Sequence, residues 1–270
     1  MFKRIDKDNE VFKSPEFQKD KYKFFLILQN LSSEELELYS DEKNYVLCRG
    51  GLKWPTWIWT KDNFPKNLVK EVEEAIELYR LDTDTRYTAK REFYNLLKED
   101  KYEALGDYYF EMGYLYCNKP VEPKKVDGYI TKATLDDEEV LTSFNYKESR
   151  EISDVKDLRY EEANEAFHKR LNDGNYYVWK NANDEIVAQA FYRVVDNNAK
   201  VAGVYTKESE RCKGYAANLI YYLTNLALDK GYHVSLYTDY NYIPSNKSYK
   251  NVGYVDDDIL INFSCKKKVK

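Results

Sequence analysis

The stretch from Lys200 to Asp239 constrains the fold more than any other. It reads "KVAGVYT", then "KESERCKG", then "YAANLIYYLTNLALDKGY", then "HVSLYTD". The first and last pieces carry the β-branched and aromatic residues of strands. Between them, Ala216, Leu219, Ile220, Leu223, Leu226 and Ala227 recur at spacings that put them on one helical face, and Gly231 is a suitable stop. A strand, a helix and a strand in that order make a crossover whose two strands run parallel. Elsewhere strand patterns are joined by short polar turns. One such turn, Ala182 to Asp184, joins "YYVWKN" to "EIVAQAFYRVV" as a hairpin. The expected fold class is therefore α+β, with a mixed, mostly antiparallel sheet flanked by helices.

Other elements follow from the same reasoning. "TLDDEEVLTSFN" reads as a helix opened by Thr134 with acids in its first turn, and a second helix runs from Tyr160 to Leu171. "SNKSYKNV" is a short helix ended by Gly253, and "DILINFS" is a final strand. Two prolines in "YCNKPVEPKK", Tyr116 to Lys125, suggest a linker between domains at 1–118 and 119–270. In the first domain, "NYVLCRGG" and "PTWIWTKD" are strands flanking a turn at Gly50 and Gly51. A helix after Pro65 presents Leu68, Val72, Ala75, Ile76 and Tyr79 on one face, and a second helix is expected from Thr88 to Leu97.

Composition narrows the functional classes. With 43% hydrophobic and 33% charged residues, the chain of 270 residues reads as folded and globular. A net charge of −5 argues against a nucleic-acid-binding surface. The basic tail "KKKVK", Lys266 to Lys270, reads as a solvated terminus. The first residues lack the apolar core of a secretory signal, and the longest apolar run, "FFLIL", is too short to cross a bilayer. No membrane association is expected. Cys48, Cys117, Cys212 and Cys265 form no C-x-x-C pair, so a reducing cytoplasm is the expected setting. His168 and His233 show no metal-ligand spacing, and no metal site is expected.

The basic turn carries the chemistry. Arg211, Lys213 and Gly214 stand together where a helix begins, with no carboxylate between them. Unpaired N–H groups at a helix start favour an anion, and a phosphate most of all. Gly214 admits positive φ or close backbone approach, and Ala216 is small enough to let the helix press near a ligand.

The pattern Arg211-x-x-Gly214-x-Ala216 resembles the coenzyme A pyrophosphate loop of the GNAT superfamily of N-acetyltransferases, which reads Q/R-x-x-G-x-G/A. "VAGVYTKESE" looks like the fourth strand leading to that loop. "LYTDYNYIPSNKSYKNVGY" looks like the fifth strand, the Asn-bearing loop and the helix ending in Gly-Tyr. The resemblance covers residues 129–264 and is strongest over 201–254. It implies acetyl-CoA as co-substrate, held where two parallel strands part. The backbone of Val204, Tyr205 and Thr206 would pair with the pantetheine arm. The N–H groups of Cys212, Lys213, Gly214, Tyr215 and Ala216 would hold the pyrophosphate beside Arg211, and Asn246 would contact the cofactor. An N–H near Val204 would face the developing oxyanion, and Tyr249 would protonate the leaving thiolate. One departure is Cys212, where relatives usually carry glycine. The side chain there must point away from the phosphates, or the loop is distorted.

The resemblance thus implies acetyl transfer from acetyl-CoA to a primary amine on a small molecule or peptide. The alternative is a non-catalytic acyl-CoA-binding, sensing or scaffold protein with the same fold. No base is visible in the sequence; a water chain to Glu208, or to a carboxylate near Glu161 and Glu162, could serve. The first half lacks the loop but orders its strands and helix loosely like a reduced GNAT domain, so a silent copy is expected there. Trp54, Trp57 and Trp59 cluster in it, either packing a core or lining a substrate cleft.

Overall fold

A computed structural model describes residues 1–52, 54–79, 85–152 and 158–266. The expected solvated tail beyond Lys266 and the side chain of Tyr79 lie outside the described residues. Two compact units emerge. One comprises residues 1–114, 238–241 and 257–270, and the other residues 115–237 and 242–256. The chain therefore does not divide at one cut near residue 118: its last strand joins the N-terminal unit.

The N-terminal unit begins with β1 (Lys3–Arg4), α1 (Pro15–Asp20) and α2 (Phe25–Asn30). Ser14 caps α1 by accepting a hydrogen bond from the Phe17 N–H at 3.2 Å, with Pro15 in the first turn. Next come β2 (Glu37–Ser40), β3 (Tyr45–Arg49), β4 (Thr56–Thr60), α3 (Val69–Tyr79), β5 (Thr85–Lys90), α4 (Arg91–Glu99) and β6 (Leu105–Cys117). Strands β1 to β4 pair antiparallel in sequence order, whereas β4 and β5 pair parallel across the α3 crossover. Val72, Ala75 and Ile76 of α3 are buried with Tyr87, Phe93 and Phe263, as the helical spacing requires.

The expected helix from Thr88 begins instead at Arg91, because Thr85–Lys90 is a strand. Both neighbours of β5 stand far off in sequence. Thr56–Ile58 of β4 lies on one side, and Leu260–Cys265, at the very end of the chain, on the other. Strand β6 spans residues for which the sequence pattern names no element, and its end overlaps the linker expected from Tyr116.

A buried ion cluster sits under the ends of β4 and β5. Asp20 and Lys90, 2% and 4% exposed, form an ion pair. Trp59 Nε1 donates to Asp20 at 2.9 Å, Lys23 lies 3.3 Å from Asp20 and 2.6 Å from Asp258, and Lys90 lies 2.8 Å from Asp62. Hydrogen bonds from Lys19 and Lys90 hold the Asp62 carboxyl well below the usual carboxylate range. Trp57 and Trp59 are buried, and Trp54 is exposed.

The C-terminal unit contains β7 (Tyr129–Lys132), α5 (Glu138–Ile152), α6 (Tyr160–Asn172), β8 (Tyr176–Lys180), β9 (Ile186–Val195), β10 (Asn198–Thr206), α7 (Tyr215–Leu228), β11 (His233–Asp239) and α8 (Ile243–Asn251). The chain then enters β12 (Val255–Cys265), whose length from Asp257 belongs to the N-terminal unit. Thr134 and Asp137 form a capping box at the entry to α5. Sheet order is β11-β10-β9-β8-β7, antiparallel except for the parallel pair β10–β11. Ala199 and Val201 of β10 pack with Leu219, Ile220 and Leu223 of α7. Ala202 and Tyr205 pack with Leu141 and Phe144 of α5 and Phe167 of α6.

The proline-bearing segment before β7 is not a free tether. The Val121 N–H donates to the Val252 carbonyl at 2.8 Å, Asn218 Nδ2 to the Lys124 carbonyl at 2.9 Å and Trp179 Nε1 to the Asp127 carbonyl at 2.9 Å. Its backbone groups are satisfied by the C-terminal unit, which fixes its path.

Candidate functional site

The parallel pair parts halfway along. Register between β10 and β11 runs from Asn198↔His233 to Val201↔Leu236, and β10 then continues without β11 to Thr206. On its other side β10 stays paired with β9, but the register shifts between Ala202 and Tyr205. This bulge contains Gly203, with φ of +63°, and Val204. A Cβ at Gly203 would lie 2.3 Å from the Phe191 ring, so only glycine fits. The bulge bends β10 away from β11 and leaves one of its edges able to accept an extended chain.

Beyond Thr206 the chain makes a short 3-10 turn at Glu208–Glu210 and enters α7 through Gly214, which has φ of +99°. Among the described residues, no protein acceptor meets the backbone N–H groups from Cys212 to Ala217. They carry the positive end of the α7 dipole and suit a bound polyanion. Lys213 lies 2.8 Å from Glu210. Arg211 turns back on the strand: Nε donates to the Thr206 carbonyl at 3.1 Å, Nη2 pairs with Glu151 at 2.6 Å, and the guanidinium lies 5.4 Å from the centroid of the Tyr205 ring. Tyr215 is buried and donates its phenol to Asp127 at 2.7 Å, which pushes its pKa up to about 12.

Residues 135–254 match the family model described as the acetyltransferase (GNAT) family. This segment is a GNAT-family domain. Nearly the whole chain follows the same fold. A GNAT-family acetyltransferase from Colwellia psychrerythraea aligns with a TM-score of 0.63 over 98% of this chain and 100% of its own, at 11% identity. A GCN5-related N-acetyltransferase from Sphaerobacter thermophilus aligns with a TM-score of 0.61 over 86% of this chain and 81% of its own, at 10% identity. A GCN5-related N-acetyltransferase from Kribbella flavida, 16% identical, gives 0.56 over 82% and 86%. No curated protein matches the sequence significantly. The family and the fold together support acyl transfer in general.

Within the GNAT domain, Val204, Tyr205, Thr206 and the loop Arg211 to Ala216 gather at one end of β10. Asn246 and Tyr249 lie on α8, which packs on α7. Tyr249 is 8% exposed, in an apolar cluster against which Val204 and Ala216 pack. Burial, and after it the charge of Glu148, raises the Tyr249 phenol well above its ordinary range. Tyr249 is thereby kept protonated. Cys212 is exposed with φ of +62°, so its side chain accepts the left-handed geometry that glycine would take freely. In Cys212→Gly, relief of about 1–2 kcal/mol of strain outweighs about 0.5–1 kcal/mol of added chain entropy. A small net stabilisation of about 0.5–1 kcal/mol is expected in denaturant unfolding.

Of the carboxylates singled out as bases, Glu208 lies in the 3-10 turn between Thr206 and Arg211, and Glu161 and Glu162 lie in the first turn of α6. Glu162 accepts from the Arg159 N–H at 3.0 Å and caps α6, while Glu161 and Glu208 are exposed. The sequence reading missed a polar network on α5. Asn145 Oδ1 accepts from Arg170, from the Tyr176 phenol at 3.2 Å and from Gln189 Nε2 at 2.9 Å. Glu148 Oε2 lies 3.3 Å from Arg170 Nη1 and 3.4 Å from Gln189 Nε2. A signal for it existed: Leu141, Phe144, Asn145 and Glu148 share one helical stripe, and the last two place polar groups where apolar ones belong.

No helix among the described residues is long and apolar enough to cross a membrane, and no cluster of metal-ligating side chains is found among them.

Proposed function

We propose that this protein transfers an acetyl group from acetyl-CoA to a primary amine of a small molecule or peptide, using the C-terminal unit. The observation that carries the reading is the run of unpartnered N–H groups from Cys212 to Ala217, set where β10 parts from β11. Val204, Tyr205 and Thr206 would receive the pantetheine arm along the open edge of β10. The N–H groups and Lys213 would take the pyrophosphate, and Arg211 would join them by giving up Glu151. Asn246 would add a side-chain contact. Tyr249, held protonated by burial, would give its proton to the leaving thiolate. The N-terminal unit would be silent. Its own β4-to-α3 turn, "KDNFPKN", lacks glycine and carries the anionic Asp62. Its free thiols fit a reducing, cytoplasmic setting.

Burial of Tyr249 favours a second reading, in which the unit binds acyl-CoA without turnover. Calorimetric titration of acetyl-CoA tests what the two share: one site per chain is expected, and no binding would remove both. Tyr249→Phe separates them. If the phenol is the acid, CoA release with an accepted amine falls by about 10²–10⁴ with acetyl-CoA affinity unchanged. A binding protein shows no amine-dependent release before or after the change.

A further inference from the structure

The splayed end of β10 faces a carboxylate that the reading above does not use. Arg170 Nη1 lies 3.3 Å from where a Cβ on Gly203 would stand, so the guanidinium presses on the bulge itself. Arg170 stacks over the Phe191 ring at 4.4 Å and holds Glu148 Oε2 at 3.3 Å. Gln189 reaches the same oxygen at 3.4 Å, and Asn145 and Tyr176 lock Gln189 and Arg170 in turn. The carboxylate is therefore fixed by one oxygen. Its other oxygen, Oε1, meets no protein partner among the described residues, and the side chain remains 18% exposed. The next residue on β10 after Gly203 is Val204, which packs on the cluster containing Tyr249. The Glu148 charge also acts on the Tyr249 phenol, adding to the rise that burial causes.

We propose that Glu148 is a catalytic residue that binds the acceptor as an ammonium ion through Oε1 and removes its proton, so that the acceptors are cationic primary amines. This rests on the acetyl-transfer reading above. An ammonium group has no lone pair and cannot attack. Transfer of one N–H proton to the Glu148 carboxylate frees the nitrogen pair, which forms the C–N bond at the thioester carbonyl carbon as the C–S bond breaks. The departing sulfur takes the Tyr249 proton. The second nitrogen proton returns to Tyr249 through solvent, and Glu148 releases its own to water. The balance is R–NH3⁺ plus acetyl-CoA giving R–NH–acetyl, CoA–SH and one proton. Arg170 and Gln189 act as positioning residues: they fix the carboxylate in place.

The test measures CoA release by the full chain from acetyl-CoA with ethanolamine, cadaverine and a lysine-bearing peptide. Acetyl-CoA affinity is measured separately by calorimetry. Glu148→Gln keeps an acceptor for Arg170 and Gln189 but has no charge. It is expected to lower kcat/KM by about 10²-fold with acetyl-CoA affinity and thermal midpoint unchanged. Glu148→Asp, which keeps the charge but withdraws it by one methylene, should fall between the two and serves as the folded control if the amide variant misfolds. Activity of Glu148→Gln equal to that of the unaltered chain overturns the proposal, and so does a loss matched by loss of acetyl-CoA binding. An unaltered chain that binds acetyl-CoA but uses none of these amines also overturns it while leaving the cofactor reading standing. One that binds no acetyl-CoA removes both.

Discussion

Gly214→Val is expected to weaken acetyl-CoA binding by at least about 100-fold, a loss of roughly 2.7 kcal/mol or more. Gly214 sits at φ of +99°, a backbone conformation that β-branched residues resist strongly. Its Cβ would also come 3.1 Å from Val126 Cγ1, in the segment that lies over the start of α7. The chain can relieve both only by reorienting the turn, and that rotates the N–H groups from Cys212 to Ala217 out of convergence. Backbone strain should lower stability as well, by about 1–3 kcal/mol, so the titration is made well below the thermal midpoint, with near-ultraviolet circular dichroism confirming the fold. Affinity within threefold of the unaltered chain in a folded variant would mean that the pyrophosphate does not bind at this helix start.

The second large effect is expected in the other unit. Asp20→Ala should destabilise the N-terminal unit by about 3–5 kcal/mol, the usual result of removing one member of a buried charge group. Asp20 serves Lys90, Lys23 and Trp59 Nε1 at once. Its loss leaves Lys90, 4% exposed, with only the half-exposed Asp62 as counter-ion among the described residues, and removes the acceptor of the buried Trp59 indole N–H. Denaturant unfolding followed by tryptophan fluorescence reads the change, since Trp57 and Trp59 lie in this unit. A change under about 1 kcal/mol would place the cluster among solvent-screened surface pairs. The end of this unit's parallel strand pair is filled by charges neutralising one another, whereas the corresponding end in the C-terminal unit presents free N–H groups.

The physical difference between these two ends shows how far sequence reading reached. In the C-terminal unit the elements that hold the candidate site are close in sequence. Strand β10, the loop and α7 span residues 198–228, and the crossover to β11 follows at once. Local rules therefore suffice: periodicity gives α7, Gly214 marks its start, and Thr134 with the acids after it marks the approach to α5. In the N-terminal unit, the helix expected from Thr88 overlaps the last three residues of β5. The six residues of that strand are held between β4 and β12, and β12 lies some 170 positions downstream. Tyr87 to Lys90 are all buried, so no alternation betrays the strand.

The sequence by itself determined the α+β class, the parallel crossover, and the glycine and backbone N–H groups at the start of α7. Each follows from local spacing, which tertiary packing had only to accept. The tertiary structure alone decided three things. It assigned the last strand to the first unit, because strand pairing is a long-range choice among edges. It turned Arg211 onto Glu151 and Thr206, because a guanidinium takes the nearest carboxylate and carbonyl. And it brought Glu148 through Arg170 to the bulge at Gly203, joining helices and strands 55 positions apart whose polar groups could be satisfied only by one another.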